Sequence, residues 1–290
     1  MHGTLRAGSL AVLLLLLPPV RPPAAAQGPA DAGGPSSGLA DEAAALGLNA
    51  AVGALTAGLW REITGDSFGD GFVGGALGGG VVYAGKRIAA ETFPGAGFLG
   101  RDVAAAGSSM IRNAADARPL LDSLAVPVGP ARLYLSPRDP ALPRLEVELY
   151  SLYWTAYGLA ESRLTLDVGE SLSSGTTVFR SDRSLLGDDD RRVFGGAAGS
   201  VIFLSPLGPE HEAGTLAHER THVLQYDFFL GAWFRPLEER LAGALPERGF
   251  SDRLDYQLVA PALRLTGHLV GLDEALDAPI QAEAEFFEGR

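Results

Sequence analysis

A chain of 290 residues with a formal net charge of −12 and no cysteine excludes several classes at once. Without thiols there are neither disulfides nor thiolate metal sites, so any metal must be held by histidine and carboxylate. The acidic balance argues against nucleic acid as a partner, since phosphates are gripped through lysine and arginine, and the length suffices to bury a sizeable core.

Arg6 precedes an unbroken apolar run from Leu10 to Leu17, and Ala24-Ala25-Ala26 offers a small-residue cleavage site. Residues 1–26 therefore read as a signal peptide, with a mature chain starting near Gln27 and exported to the periplasm or the extracellular space. Removing them takes away Arg6 and Arg21 and no acid, which moves the formal charge from −12 to −14. Residues 27–40 are rich in Gly, Pro and Ser without an apolar period and read as a flexible linker.

Over 41–118 the composition shifts to Ala and Gly, and apolar residues recur at helical intervals over 41–63, 69–92 and 98–117. That predicts three helices packed through small residues. In the second, Gly71, Gly75 and Gly79 lie four apart, as do Gly74 and Gly78, so a neighbouring backbone can approach a face that lacks side chains. Ala43 to Trp60 carries no charge, which raises a second reading, peripheral membrane contact through residues 41–92. The run is built of Ala and Gly rather than Leu and Ile, and this favours a soluble helical pair.

After Pro119 the periodicity changes to alternation over 132–136, 144–150, 163–168 and 176–180, which predicts a mostly antiparallel sheet. Turn clusters stand at Ser136-Pro137-Arg138-Asp139-Pro140 and Gly187-Asp188-Asp189-Asp190. The aspartate run lacks the ordered spacing of a calcium loop and reads as a solvated turn. The tract 150–160 suits a helix or a strand, and its Tyr150, Tyr153, Trp154 and Tyr157 are expected in the core. Gly199 to Leu204 then makes a short apolar strand stopped by Pro206 and Pro209, and a helix follows from Glu210 to Phe228. A strand beside such a helix can offer a free edge to which an extended chain adds by main-chain hydrogen bonds.

The helix carries His218-Glu219-Arg220-Thr221-His222. Two histidines four residues apart share one helical face one turn apart, so both imidazoles can reach one zinc ion at about 2.0–2.1 Å. Glu219 lies about 100° round from His218 and can take a proton from a water at the open metal position. Leu216, Val223 and Leu224 supply the apolar surface that holds the helix rigid. The competing structural reading is an ordinary amphipathic helix with Glu219, Arg220 and His222 in surface pairs.

A catalytic zinc needs a third protein ligand and an open position. The metzincin arrangement is excluded, because Gln225 and Phe228 stand where it requires glycine and histidine. The best source is the last segment, where Asp277 can cap a helix, Pro279 fits its first turn, and Glu283 and Glu285 follow.

Ala217-His-Glu-Arg-Thr-His-Val-Leu-Gln225, with Glu283-Ala284 ahead of aromatic residues, resembles a group of bacterial HExxH proteins carrying AHExxHxxQ and a downstream Glu-Ala pair. More broadly it is similar to the gluzincin metallopeptidases. The resemblance covers about fifteen residues and, weakly, the last helix. It implies an α+β, zincin-like catalytic domain over 119–290, zinc on His218 and His222, Glu219 as general base, and Glu283 as third ligand. The gap between His222 and Glu283 departs from the short spacing of thermolysin-like enzymes, and Glu285, Glu274 and His268 stand as substitutes.

Gln225, Tyr226, Tyr256 and His268 are candidates for stabilising an oxyanion or supporting the ligands from behind, although buried tyrosines and histidines are more often hydrogen-bonded core residues. His211, seven residues before His218, is roughly 10 Å up the helix axis and reads as a surface residue beside Glu210 and Glu212. The expected function is an exported zinc-dependent hydrolase of peptide or protein substrates. The alternative is a non-catalytic envelope protein binding a membrane or partner through its Gly-rich helices.

Overall fold

The computed structural model describes residues 38–136, 138, 143–183, 185–186, 192–206, 209–229, 254–256 and 281–287. The signal segment, Asp188-Asp189-Asp190, His268, Glu274, Asp277 and Pro279 lie outside the described residues. What is described is α+β, with three helices first and then strands interleaved with further helices.

Helix α1 spans Leu39–Thr64, α2 Phe68–Ala89 and α3 Ala96–Ala115, as the helical periodicity predicts. Gly65 ends α1 in the left-handed conformation at φ 87°, and the Ser67 hydroxyl accepts the Asp70 N–H to start α2. Glycines let α2 lie between the other two. A Cβ on Gly75 would stand 2.2 Å from the Gly53 carbonyl of α1, and one on Gly78 would stand 2.6 Å from Ile111 of α3. Helix α1 is long and apolar enough by composition to cross a membrane; here its small residues Gly53, Ala54 and Ala57 are buried.

Strands β1 (Leu124–Val128), β2 (Ala131–Leu135) and β3 (Arg144–Val147) form an antiparallel meander, to which β10 (Leu254–Tyr256) adds in parallel beside β3. A second sheet has the order β4-β5-β9-β8, from Leu164–Leu166, Thr177–Ser181, Val201–Leu204 and Gly195–Ala198. A short ribbon pairs β6 (Leu185–Leu186) with β7 (Arg192–Val193). The expected antiparallel character holds except for β10 with β3 and β5 with β9.

Two expectations are corrected. Tract 150–160 is a helix, α4 (Leu149–Ala160), and its aromatics are not core: Tyr153 and Tyr157 are exposed and Tyr150 and Trp154 only part-buried. They form an edge-to-face ladder that leads through Trp154 to Phe203, and this shields one side of each ring while the other stays wet. The apolar strand β9 is not an edge either. It is paired on one side by β5 and on the other by β8, which explains its continuous apolar run, so the sheet edge falls to Gly195-Gly196-Ala197-Ala198.

A short helix, α5 (Val168–Ser174), is capped by Asp167, whose side chain accepts the Glu170 N–H. Helix α6 spans Pro209–Phe229 and packs against the second sheet on one side and the first helices on the other. Leu216 and Val223 pack with Val178, Ile202 and Leu204 of the second sheet, while Leu224 meets Ala89 and Ala104, and Phe228 joins Ala57, Val82 and Ile111. Burial on both sides holds this helix by tertiary packing more than by its own propensity. A final helical segment, α7 over residues 281–287, buries Ala284 and Phe287, the latter beside Tyr83 of α2.

Candidate metal centre

His218 and His222 project from α6 with ring centroids 4.7 Å apart and planes at 76°, and their Nε2 atoms stand 3.0 Å from each other. Two nitrogens bound to one tetrahedral ion at 2.0–2.1 Å would be about 3.3 Å apart. The pair thus fits a divalent cation with a shift of a few tenths of an ångström. Both rings are part-buried, open enough for a substrate and closed enough to be held.

Glu219 is buried at 5 % exposure. It faces β8: a Cβ on Gly195 would stand 2.9 Å from Glu219 Oε1 and from Thr215 Cγ2, so this strand can pass the carboxylate only as glycine. Arg220, inside the same pentapeptide, is turned to the opposite wall. It donates to Glu170 at 2.7 Å, to Ser174 at 3.1 Å and to the Ala89 carbonyl at 3.1 Å, and so pins α6 to α5 and the end of α2. The surface-pair reading of the pentapeptide fails on this point, because Glu219 and Arg220 are buried.

Behind His222 stands an ordered chain of polar groups. Its Nδ1 is 2.9 Å from Gln225 Oε1, and Gln225 Nε2 donates to Glu283 Oε2 at 2.8 Å. Lys86 Nζ donates to both Glu283 oxygens at 2.7 Å, Asn49 Nδ2 donates to Oε1 at 2.8 Å, and Asn49 Oδ1 accepts from Lys86 at 3.0 Å. Burial would raise the Glu283 carboxyl, but Lys86, Gln225 and Asn49 outweigh it and hold the pKa below the ordinary carboxylate value. Expected as the third ligand, Glu283 is instead turned to Lys86 and Gln225. The side chain of the segment that reaches the histidine pair is Gln281, whose Oε1 is 3.2 Å from His222 Nε2. Glu285 is exposed on the same helix. Among the described residues, no three histidine, aspartate or glutamate side chains converge as a metal cage.

Tyr226 is buried and faces α4, its ring 5.9 Å from that of Tyr150; burial foremost, with Glu148 beside it, pushes its hydroxyl pKa up. Tyr256 lies on β10. His211 is exposed and stacks on Phe194 at 6.4 Å, as a surface histidine should.

Two residues beyond Gln225, Asp227 accepts from Arg101 Nε of α3 at 2.7 Å and from Arg132 of β2, and Arg132 also donates to Glu148. All four side chains are fully or almost fully buried. Burial would raise Asp227, yet Arg101 and Arg132 hold its pKa down.

Sequence reasoning missed Lys86, Asn49, Gln281 and Gly195. One signal was present: Lys86 is the single lysine of the chain, among arginines at every other basic position. The chain matches no family model, no curated protein and no solved structure.

Proposed function

We propose that this chain is an exported zinc-dependent hydrolase that cleaves peptide bonds, built on a zincin-like arrangement. The observation that carries the reading is the convergence of His218 Nε2 and His222 Nε2 to 3.0 Å beside a buried Glu219. Nitrogen atoms so placed suit a borderline-soft ion such as zinc.

When bound, zinc supplies Lewis acidity, drawing the pKa of a water toward about 7 and polarising a carbonyl. His218 and His222 hold the ion from one rigid turn. Glu219, on the adjoining face and removed from bulk water, accepts a proton and delivers it to the departing amine. Strand β8 lies against that carboxylate as the sheet edge, with Gly195 and Gly196 beside it. The signal-like residues 1–26 support the exported location.

The test is Glu219→Gln, assayed for bound zinc by quantitative metal analysis and for cleavage of a peptide library. Zinc retained with cleavage reduced by 10²-fold or more is expected for a lost general base. Undiminished cleavage, or wild-type protein that takes up no zinc, would refute the proposal.

One observation favours a second reading, a non-catalytic envelope protein that lies on a membrane. Leu46 and Leu55 of α1 and Phe72, Val73 and Leu77 of α2 are exposed. Flotation of the full chain with liposomes, unchanged by Glu219→Gln, is the outcome this reading requires.

A further inference from the structure

We infer that Glu283 and Gln225 are positioning residues for His222, not metal ligands, and that Lys86 holds Glu283 in that role. The inference rests on the zinc site proposed above, but its first step concerns the protein alone.

Glu283 is almost wholly enclosed, and both its oxygens are engaged by donors from three other helices: Lys86 of α2, Asn49 of α1 and Gln225 of α6. An ionised carboxylate only accepts, so the Gln225 amide must turn its NH2 toward Glu283. Its carbonyl oxygen then faces His222 Nδ1 at 2.9 Å. A carbonyl oxygen cannot donate. His222 Nδ1 must therefore carry a hydrogen, and in the neutral ring, the form that binds a metal, the Nε2 lone pair is left on the side of His218 Nε2, 3.0 Å away. Such support fixes the tautomer and ring orientation that a metal ligand needs.

Lys86 makes the arrangement selective. A buried carboxylate without a counter-charge would be drawn to a nearby cation, and here the cation is already supplied by the protein at 2.7 Å. Tyr83 and Phe287 pack alongside, so α7 docks on α2 through one apolar and one ionic contact. The third donor position is left to the Gln281 carboxamide, which reaches 3.2 Å from His222 Nε2.

The experiment uses the full-length protein in three variants. Gln225→Leu removes the bridge; Lys86→Met with Glu283→Gln removes both charges but keeps a side-chain carbonyl for Gln225; His222→Ala deletes a ligand. Nitrogen-15 NMR of the metal-free protein reads the His222 tautomer, and competition with a chromophoric chelator reads zinc affinity. Wild type is expected to show the Nδ1–H form and Gln225→Leu a mixture, with zinc bound 10–100-fold more weakly. The double variant should bind within about 10-fold of wild type, while His222→Ala should lose far more. An unchanged tautomer in Gln225→Leu overturns the inference. So does a double variant that loses zinc as completely as His222→Ala, since Glu283 would then be a ligand. If wild type takes up no zinc, the hydrolase reading fails, and the tautomer comparison still decides the positioning role.

Discussion

Gly195 and Glu219 are in contact across the gap between strand β8 and helix α6, and the contact leaves no room for a Cβ. A methyl placed there would meet Glu219 Oε1 and Thr215 Cγ2, both at 2.9 Å. The strand is thus fitted to the carboxylate, and the carboxylate's position depends on the strand.

Gly195→Ala is accordingly expected to displace Glu219 without touching either histidine. Misplacement of a catalytic group by about 1 Å can cost on the order of 10²-fold in rate, so turnover should fall at least 10-fold while zinc affinity stays at the wild-type value. The strain should cost about 1–3 kcal/mol of stability, read from urea unfolding. Full turnover in this variant would mean that Glu219 tolerates displacement and is not the base.

The buried charges around Asp227 make the second expectation. Arg101 and Arg132 both donate to this carboxylate, from α3 and β2 respectively, and all three side chains are nearly solvent-free. Removing one partner of such a set leaves uncompensated charge in the interior, at a cost of about 3–5 kcal/mol. Asp227→Asn should therefore lower the urea midpoint markedly with an unchanged m-value. A loss under 1 kcal/mol would show that the arginines find water on relaxation.

Much of this molecule could be read in advance, and the unread part has a common cause. Helices α1 to α3 announce themselves through apolar residues at helical intervals, and the close face of α2 through its glycine spacing. The pentapeptide at 218–222 sits on a helix as its spacing requires. What escaped are pairings without a local signature. Lys86 meets Glu283 at a separation of 197 residues, and Arg101 meets Asp227 at 126. Strand β8 escaped because Gly-Gly-Ala-Ala has little strand propensity; it is held by its register with β9 and its fit against α6. Tyr153 and Tyr157 misled in the other direction, since aromatic periodicity marks a face but not what covers it.

Acid should destabilise the fold through the same two carboxylates. Asp227 and Glu283 both have folded pKa values held below the ordinary range, by Arg101 with Arg132 and by Lys86 with Gln225 and Asn49, against the opposing effect of burial. A depressed folded value means that the stabilisation is present above the unfolded pKa, about 4, and is lost as pH falls through the folded value. The urea midpoint is expected to be flat between about pH 5 and 7 and to fall below about pH 4. The Lys86→Met, Glu283→Gln double variant should show a shallower decline. A midpoint that rises on acidification would contradict the ion-pair assignments.

The glycine layer gives a pair of substitutions of opposite sign within one helix. A Cβ at Gly53 would stand 2.3 Å from the Gly75 carbonyl, whereas one at Gly47, two turns earlier on α1, meets nothing within 4 Å. Gly53→Ala must push α1 away from α2 and should cost about 1–3 kcal/mol. Gly47→Ala keeps every contact and removes the backbone freedom that makes glycine a poor helix former, so it should stabilise by up to about 1 kcal/mol. Because Asn49 lies between them and holds Glu283 and Lys86, the two variants should also separate at the candidate metal centre. Gly53→Ala is expected to weaken zinc binding as α1 shifts, and Gly47→Ala to leave it unchanged. Equal effects of the two alanines on stability would show that α1 is not packed on α2 in solution.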